Sequence, residues 1–529
     1  MLQFNTAGPM QADLHYMIPP LSRVDLDDIL PRIAERRYFI LYAPRQTGKS
    51  SCLLALRDYL NQTGQHRCLY ANFEVGQSAR DDVAAAMPAL ITQVARRQQL
   101  TFQDTFLLDQ LPDIQRQNAP HVALQELLTR WAQHESLPTV LFIDEIDALV
   151  GDTLISVLRQ LRAGYDQRPT AFPASLILCG VRDVRDYRIQ SGSKEVITGG
   201  SAFNIKAVSL RLNDFSQAEV HALYQQHTAA TGQIFEPAVF DLVWTLTRGQ
   251  PWLVNALAQE ACFTMKANRD RTRPITTTII QQAKENLILR RETHLDQLVR
   301  QLHEQRVREV IEPILSGEMP VQTPGLDDIQ YVVDLGLITQ VPELRIANAI
   351  YQEIIPRTLS YPTQVTIHQS TSWYLLPDGR LEMNGLLTAF QQFFRENSEA
   401  WLQGFAYQEA GPQLLLQAFL QRVVNGGGQV QREYGLGRGR TDLLILWPWG
   451  EGDPQPNRQR IVIELKLQRG RLDAVLPDSL LQTWRYAEQC NADEAHLLLF
   501  DRRVRRTWRQ KIYRREQSYQ GRTIVVWGC

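Results

Sequence analysis

Ala43-Pro44-Arg45-Gln46-Thr47-Gly48-Lys49-Ser50 is the stretch that decides the fold of the N-terminal part of the chain. It follows an apolar run, Tyr38–Ala43, that is short and rich in β-branched and aromatic residues. A helical pattern over Ser50–Gln62 comes directly after it. The succession predicts a buried strand, a tight loop and a helix, with the loop at the point where the strand ends.

The loop has the chemistry of a phosphate-binding site, with an ordinary turn as the alternative interpretation. Gly48 lets the backbone approach a phosphate closely, and the first amides of the helix then face the anion. Lys49 would reach the β- and γ-phosphates, and the Ser50 hydroxyl would bind Mg²⁺. The spacing follows GxxxxGK[ST] except that Ala43 replaces the first glycine. The nucleotide-binding positions predicted here are Ala43, Pro44, Arg45, Gln46, Thr47, Gly48, Lys49, Ser50 and Ser51.

A second acidic motif supports the phosphate-binding interpretation. The apolar run Thr139–Asp144 predicts a buried strand, and it ends in two adjacent carboxylates, Asp144 and Glu145. Asp144 would hold the Mg²⁺ shell, whereas Glu145 could polarise the attacking water as a general base. The two motifs together predict a protein that binds ATP with Mg²⁺.

Strands and helices alternate in this part of the sequence, which predicts an α/β fold with a parallel sheet and crossover helices. From about Arg211 to Leu289 the pattern becomes purely helical, and Ser216–Glu219 offers a capping box for one helix. The predicted strands are Tyr38–Ala43, Arg67–Phe73, Thr139–Asp144 and Ser175–Gly180, and the predicted helices are Ser50–Gln62, Asp81–Gln98 and His121–His134.

The N-terminal motifs resemble those of the AAA-like, Orc/STAND-like ATPases of prokaryotes, over roughly residues 1–360. The resemblance implies that Arg23, with the preceding His15–Pro20, lies on the adenine side of the nucleotide. It also implies that Arg182, at the end of a strand, is a sensor near the γ-phosphate. Arg248–Pro251 is similar to a G-x-P signature, which implies that Pro251 lies near the base; a helix-start turn is the alternative.

A second group of acidic residues lies near the carboxy end of the sequence. Asp442 begins an apolar strand, and Glu464-Leu465-Lys466 lies within the next strand. Side chains alternate along a strand, so Glu464 and Lys466 point to the same face. Asp442, Glu464 and the Leu465 carbonyl could share Mg²⁺ or Mn²⁺, while Lys466 positions the attacking water. A solvent-exposed strand with alternating Glu and Lys is the alternative.

This D…E-x-K arrangement resembles the PD-(D/E)XK nucleases of the RecB-like type, over about residues 375–529. The resemblance implies that Glu409 is the acidic residue of the first helix, with Glu433 as its competitor. It further implies that Gln482 and Tyr486 form the QxxxY element that follows the core and supports catalysis. We therefore expect Asp442, Glu464, Lys466, Glu409 and Gln482 to carry out phosphodiester hydrolysis, and Glu145 to act in ATP hydrolysis.

Arg502–Arg515 carries many arginines together with Trp508 and Tyr513, and it contains no acidic residue. Positive charge combined with aromatic stacking surfaces is typical of nucleic-acid binding. A solvated face that pairs with acidic neighbours is an equally weighted alternative.

Length and composition predict several globular domains. A chain of 529 residues is too long for one ordinary core. The six cysteines are scattered and contain no CxxC pair, which argues against a disulfide framework and a structural zinc site. The first residues lack the pattern of a signal peptide, and no apolar run reaches the roughly 20 residues of a membrane-spanning helix. We expect a cytoplasmic protein without a membrane segment.

We expect five segments: a P-loop ATPase core at 1–210, a helical lid at 211–290, a winged-helix unit at 291–360, a linker at 361–374 and an α/β nuclease domain at 375–529. The leading hypothesis is an ATP-hydrolysing protein that controls a nuclease acting on nucleic acid, foremost DNA, in prokaryotic defence or mobile-element biology. Homo-oligomers through the ATPase domain and protein partners are expected. The alternatives are a non-enzymatic DNA-binding or signalling ATPase and a transposition-type loader whose C-terminal domain is inactive.

Overall fold

The protein folds into two compact units in a computed structural model. The first unit comprises Met1–Arg291 and Gln330–Ile338, and the second comprises Glu292–Ile329 and Thr339–Cys529. The structure describes residues 2–182, 188–190, 196–198, 203–290, 298, 300–316, 325–341, 344–366, 374–404, 411–424, 429–433, 442–449, 457–468, 472–501, 503 and 506–529.

The strands are β1 Gln3–Phe4, β2 His15–Tyr16, β3 Tyr38–Tyr42, β4 Arg67–Asn72, β5 Thr139–Asp144, β6 Ser175–Gly180, β7 Arg188–Gln190, β8 Val196–Thr198, β9 Lys206–Arg211, β10 Ile338–Thr339, β11 Arg345–Ile346, β12 Gln429–Glu433, β13 Asp442–Trp449, β14 Asn457–Gln468, β15 Glu494–Asp501, β16 Tyr513–Tyr519 and β17 Arg522–Gly528. The α-helices are Leu26–Ala34, Lys49–Thr63, Val83–Phe102, Phe106–Gln117, Pro120–His134, Gly151–Ala163, Gln217–Thr231, Pro237–Thr247, Pro251–Gln259, Thr277–Arg290, Gln305–Ser316, Leu326–Asp334, Ala349–Thr366, Met383–Gly404, Gly411–Val424, Leu472–Gln489 and Trp508–Lys511.

A five-stranded parallel sheet forms the centre of the first unit, in the order β4-β5-β6-β3-β9. Its middle strands are fully buried, which explains why they appear in the sequence as continuous apolar runs. All five strands run in the same direction, so their carboxyl ends lie along one edge. In α/β sheets that edge is where ligands bind.

Alternate residues of these strands face two separate hydrophobic layers. Ile40, Leu141 and Leu178 pack under four helices within Val83–Ala163. Leu41, Phe142 and Cys179 pack on the other face, against the helices Leu26–Ala34 and Lys49–Thr63. The α/β P-loop fold with a parallel sheet, which the sequence predicts, is therefore present.

The structure confirms the four predicted strands and the three predicted helices between them. The prediction missed β9, Lys206–Arg211, which pairs with β3 at the edge of the sheet. An edge strand is covered on fewer sides than a central one, and the described side chains of β9 are only partly buried or exposed. Its sequence therefore lacks the continuous apolar run by which the other four strands can be recognised.

Four helices from Gln217 to Arg290 form the predicted helical segment of the first unit. Ser216 and Glu219 make both hydrogen bonds of the predicted capping box. The predicted winged-helix range 291–360 is divided, because Gln330–Ile338 belongs to the first unit, whereas Glu292–Ile329 and the residues from Thr339 onward belong to the second. The helix Ala349–Thr366 also extends into the range 361–374 that the sequence predicts as a linker.

The second unit contains a six-stranded mixed sheet in the order β12-β13-β14-β15-β17-β16. The central pair β14 and β15 is parallel, and β13 pairs with β14 in the antiparallel direction. The helix Leu472–Gln489 covers one face, where Val462 and Leu497 pack with Tyr486. The helix Met383–Gly404 packs on the other side through contacts such as Phe390 with Phe500. Neither β16 nor β17 was expected from the sequence.

All six cysteines are buried and unbonded, in agreement with the predicted absence of disulfides. Among the described residues, no helix is both long and apolar enough to cross a membrane.

Two glycines at the ends of neighbouring helices provide a stability test. Both have a left-handed backbone, with φ of 78° at Gly232 and 81° at Gly249. An added Cβ would meet nothing within 4 Å at Gly232, but it would lie 1.9 Å from the Phe215 carbonyl oxygen at Gly249. We predict that Gly232→Ala costs about 1 kcal/mol of unfolding free energy from backbone strain alone. Gly249→Ala should cost about 3 kcal/mol or more, because the clash adds to that strain. Urea denaturation of both variants measures the difference, and equal losses would contradict the close approach at Gly249.

Candidate functional site

The predicted phosphate loop follows β3 and closes on itself through its own side chains. Lys49 Nζ donates to the carbonyl oxygens of Ala43 and Pro44, both at 3.0 Å. Thr47 Oγ1 donates to the Pro44 carbonyl at 2.8 Å. Lys49 is only 6% exposed, so its ammonium group lies over the loop, next to the start of the helix. A phosphate placed there would meet this charge and the first N–H groups of Lys49–Thr63.

Gly48 brings the backbone of the phosphate loop close to the Arg23 guanidinium. Its φ is 92°, and an added Cβ would lie 2.7 Å from Arg23 Nη1. The Arg23 guanidinium donates to the Thr47 carbonyl at 2.5 Å and to the Asn213 carbonyl at 2.6 Å. It also stacks over the Phe215 ring, and burial lowers its pKa. Arg23 therefore ties the phosphate loop to the first residues after β9.

The predicted Mg²⁺ residues lie in direct contact with each other. Ser50 Oγ donates to Asp144 Oδ2 at 2.6 Å, which joins the P-loop helix to the end of β5. Tyr70 Oη donates to the same carboxylate oxygen at 2.8 Å, and the Glu145 backbone N–H donates to Oδ1 at 2.9 Å. Three donors thus compensate a carboxylate that has no solvent exposure.

Glu145 has the properties of a base poised next to this carboxylate. Its backbone is left-handed, with a φ of 53°, and it lies at the turn after β5. Burial raises its pKa above the usual 4.5, and the negative charge of Asp147 raises it further. The positive charges of Lys49 and Arg45 partly offset this rise in the pKa of Glu145, so the three side chains lie in one electrostatic environment. A raised pKa suits a general base, because proton transfer is most efficient when that value approaches the working pH.

These residues suit the binding of Mg²⁺ together with a nucleoside triphosphate. A hydroxyl and a carboxylate in contact at 2.6 Å supply the hard oxygen ligands that Mg²⁺ prefers. The lysine and the helix amides supply the positive electrostatic potential that a polyphosphate requires.

A cavity adjoins the phosphate loop. Gly48, Ser51 and Cys52 form its wall on the loop side. Residues of the N-terminal segment Asn5–Met10 and of the helix Pro251–Gln259 complete it. Ser51 Oγ accepts from the Met10 backbone N–H at 3.0 Å. The cavity wall includes Arg23 and Pro251, which the resemblance places on the base side of the nucleotide.

Arg182, which follows β6, packs against an aromatic side chain. Its guanidinium lies over the Tyr331 ring, 4.6 Å from the ring centre. From the same segment, Gly336 packs against the phosphate loop, because an added Cβ there would lie 2.8 Å from Pro44 Cβ. The segment Gln330–Ile338 thus contacts both the loop and the residue predicted to be the sensor.

In the second unit the predicted acidic residues lie on adjacent strands. The register of β13 and β14 places Asp442 directly opposite Glu464, and directly opposed residues share one face of a sheet. Glu464 Oε1 lies 2.9 Å from Lys466 Nζ. Leu465 lies between these two residues, on the opposite face. The structure therefore brings together Glu464 and Lys466, with position 442 on the same face.

Glu464 is fully buried, whereas the Lys466 side chain is 17% exposed. Among the side chains that the structure describes, no group of three or more His, Cys, Asp and Glu residues forms a metal site. The Asp442 side chain and all of Glu409 lie outside the described residues. The predicted role of Glu409 therefore stays a prediction.

The helix Leu472–Gln489 carries Gln482 and Tyr486 on the face of the sheet that also bears Glu464. Tyr486 packs with Val462, which has the same orientation on β14 as Glu464. The Gln482 amide oxygen is buried, and among the described residues no donor lies within hydrogen-bonding distance of it.

The described part of the basic segment Arg502–Arg515 is compatible with both interpretations, nucleic-acid binding and pairing with acidic neighbours. Arg503 makes a bidentate ion pair with Asp501, and Arg514 contacts Asn384 and Glu516. Both aromatic rings of the segment pack onto the second unit. Trp508 contacts Phe394, and Tyr513 packs beside the hydrophobic residues that the helix Leu472–Gln489 covers. Exposed charge remains at Arg506, Arg509 and Arg515.

Three parts of the first site were missed at the sequence level: Tyr70, the N-terminal segment Asn5–Met10 and the segment Gln330–Ile338. In the sequence, Tyr70 looks like an ordinary residue of an apolar strand. Its hydrogen bond to Asp144 arises only from the pairing of β4 with β5. The two segments reach the site by long-range packing, and neither carries a local motif.

Comparison with known proteins identifies the N-terminal domain. Residues 23–172 match the family model of the AAA ATPase domain. Together with the P-loop, the Ser50–Asp144 contact and the parallel sheet, this match shows that the chain carries an AAA ATPase domain of the P-loop type. No curated protein matches the chain.

Several solved structures are remotely similar. The Walker-type ATPase of Pyrococcus abyssi shares 14% identity, with 66% of this chain and 99% of that chain covered and a TM-score of 0.46. Cdc6p from Pyrobaculum aerophilum shares 16% identity over 63% of this chain and 92% of that chain, with a TM-score of 0.35. The RuvB branch migration motor of Thermotoga maritima shares 13% identity over 63% and 95%, with a TM-score of 0.31. These similarities are too remote to indicate function.

The Tyr70 hydroxyl provides a test of the Asp144 site. We predict that Tyr70→Phe raises the Mg²⁺ concentration for half-maximal ATP hydrolysis roughly three- to tenfold, because a hydrogen bond to a charged group is lost. Tyr38→Phe is the matched control, since it removes a buried hydroxyl that donates to the Pro173 carbonyl and does not touch Asp144. Equal Mg²⁺ dependence in the two variants would count against the role of Tyr70.

Proposed function

We propose that this protein binds and hydrolyses ATP in its first unit and controls a metal-dependent nuclease in its second unit. The contact between Ser50 and Asp144 supports the first half. The pairing of Glu464 with Lys466, opposite Asp442, is the single observation that carries the second half.

In the first unit, Lys49 and the amides of the P-loop helix would bind the β- and γ-phosphates. Ser50 and Asp144 would hold Mg²⁺, which supplies charge neutralisation at the phosphates when it is bound. Glu145 would orient the attacking water and accept its proton, since its carboxylate lies in the electrostatic reach of Lys49 and next to Asp144. Arg182 and Pro251 would complete the nucleotide site from β6 and from the helical segment.

The role of Glu145 gives a prediction with a defined pH dependence. Glu145→Gln should lower the rate of ATP hydrolysis by roughly 10²- to 10⁴-fold and leave ATP binding within a few-fold, because only proton transfer is lost. A general base works when it is deprotonated, so activity should fall as pH drops through the pKa of Glu145. Since burial raises this pKa, the loss should begin at a higher pH than for an ordinary glutamate of pKa 4.5. Steady-state hydrolysis over a range of pH checks the profile, and an acid limb below pH 4.5 would exclude this base.

In the second unit, Lys466 would neutralise the scissile phosphate and help to deprotonate the attacking water. Asp442, Glu464 and the Leu465 carbonyl would hold Mg²⁺ or Mn²⁺, which supplies charge stabilisation at phosphorus when it is bound. The oxygen-only donor set and the adjacent lysine fit this chemistry. Gln482 would support the site from the covering helix, and Glu409 would add an acidic group from the chain before Gly411–Val424.

One observation favours the alternative function. Glu464 is fully buried, so substrate and metal could reach it only after a local opening. A second unit that never opens would leave a DNA-binding or signalling ATPase, or a transposition-type loader, with an inactive C-terminal domain. In the leading proposal ATP controls this opening, DNA is the foremost substrate, and the protein forms homo-oligomers through its ATPase domain and has protein partners. A role in prokaryotic defence or mobile-element biology would suit this design.

Two lysine variants separate the activities. Lys466→Ala should reduce Mg²⁺- or Mn²⁺-dependent cleavage of DNA by roughly a hundredfold or more and leave ATP hydrolysis unchanged. Lys49→Ala should abolish nucleotide binding, because the phosphates lose their principal charge partner. Cleavage of single- and double-stranded DNA and of RNA, with and without ATP, measures both effects.

Arg395→Ala is the control for this experiment, since it removes an exposed charge of the same unit that is remote in sequence from the D…E-x-K residues and lies outside the basic segment Arg502–Arg515. Cleavage at the full rate by Lys466→Ala would show that the site assignment is wrong. A wild-type protein that hydrolyses ATP but cuts none of these substrates would favour the non-enzymatic C-terminal domain.

A further inference from the structure

Asn255 is a buried polar residue in the wall of the cavity beside the phosphate loop. It lies one helical turn after Pro251 on Pro251–Gln259 and is 1% exposed. Its Nδ2 donates to the Pro251 carbonyl at 2.8 Å. Its Oδ1 is buried, and in the described part of the chain no donor lies within hydrogen-bonding distance of that oxygen.

The chemical identity of this unsatisfied atom follows from its partner. A carbonyl can only accept a hydrogen bond, so the amide atom that contacts the Pro251 carbonyl must be nitrogen. The remaining atom is therefore an oxygen that needs a donor. Buried polar groups in native proteins are almost always paired, so an acceptor left over in a cavity wall suits a ligand that brings a donor.

The rest of the cavity fits a flat aromatic ring. Ile18, Pro20, Phe215, Pro251 and Trp252 form apolar walls. Two donors in the wall are already engaged: Trp252 Nε1 donates to the Thr6 carbonyl at 2.9 Å, and the Arg23 guanidinium donates to the carbonyls of Thr47 and Asn213. Gly48 joins this space to the phosphate loop. A nucleotide with its phosphates on that loop would thus bring its base against Asn255.

We propose that Asn255 Oδ1 accepts a hydrogen bond from the exocyclic amine at C6 of adenine and thereby selects adenine nucleotides. Guanine and hypoxanthine carry a carbonyl at C6, which would place two acceptors against each other in a buried space and disfavour binding. This inference rests on the proposed nucleotide binding and adds its base specificity.

The test compares three nucleotides that differ at C6: ATP with an amine, ITP with a carbonyl and purine riboside triphosphate with hydrogen. Displacement of a fluorescent nucleotide in the presence of Mg²⁺ gives the affinities for the full chain. The wild-type protein should bind ATP roughly tenfold or more tightly than purine riboside triphosphate, and ITP should bind more weakly still. Asn255→Leu, of similar shape but without the acceptor, should bind ATP and purine riboside triphosphate within about twofold of each other.

Asn268→Leu is the matched control. Asn268 is also a buried asparagine of the helical segment, and its Nδ2 donates to the Ala261 carbonyl at 2.9 Å. It does not belong to the described wall of the cavity, so this variant should keep the wild-type discrimination. Asn255→Ser is the second variant if the leucine protein does not fold, and it should lose most of the discrimination because its hydroxyl is too short to reach the base.

The outcomes separate this inference from the proposed function. A folded wild-type protein that binds none of the three nucleotides would overturn both. If the wild-type protein binds ATP and purine riboside triphosphate equally well, or if discrimination survives in the Asn255 variants, the assignment of Asn255 is wrong and the ATPase proposal stands.

Discussion

The hydrogen bond from Ser50 to Asp144, at 2.6 Å, is the contact on which the nucleotide site depends. The two residues belong to chain segments that follow β3 and end β5, and β6 lies between those strands in the sheet. Only a parallel sheet brings the carboxyl ends of these strands to one edge, so the fold must form before the site exists. The contact also needs support, because the Asp144 carboxylate is fully buried. Tyr70 and the Glu145 backbone supply the additional donors that make such burial tolerable.

The same edge gains a second wall from chain segments that lie far apart in sequence. Trp252 donates to the Thr6 carbonyl, Met10 donates to Ser51, and Gln226 exchanges two hydrogen bonds with the Met17 backbone. The N-terminal segment therefore links the P-loop helix to the helical segment that follows the sheet. This link forms one wall of a cavity of mainly apolar character next to a strongly polar phosphate loop. Such a combination suits a molecule with an aromatic ring at one end and negative charge at the other.

The sequence predicts those parts of this arrangement that have local causes. Buried parallel strands need continuous apolar runs, and the phosphate loop needs glycine and lysine at fixed spacing, so β3, β5, Lys49 and Asp144 could be predicted. β9 and β16 lie at sheet edges and lack a continuous apolar run, which is why they were missed. Tyr70, Asn255 and Tyr331 could not be assigned to the site, because their roles arise from strand pairing and tertiary packing. Arg182 lies at the end of β6 as expected, yet its stacking on Tyr331 depends on a segment about 150 residues further along the chain.

Two buried carboxylates in this chain differ in a way that bears on function. Asp144 is surrounded by three neutral donors, whereas Glu464 lies against an ammonium group on its own strand. A buried ion pair is a weak source of stability, since desolvation offsets most of the attraction, and apolar residues of similar volume often stabilise a protein as well or better. Val462 and Leu497, which neighbour Glu464 on that face, show that apolar side chains can pack under the helix Leu472–Gln489. Stability alone therefore does not account for Glu464 and Lys466, which supports the chemical role proposed for the pair.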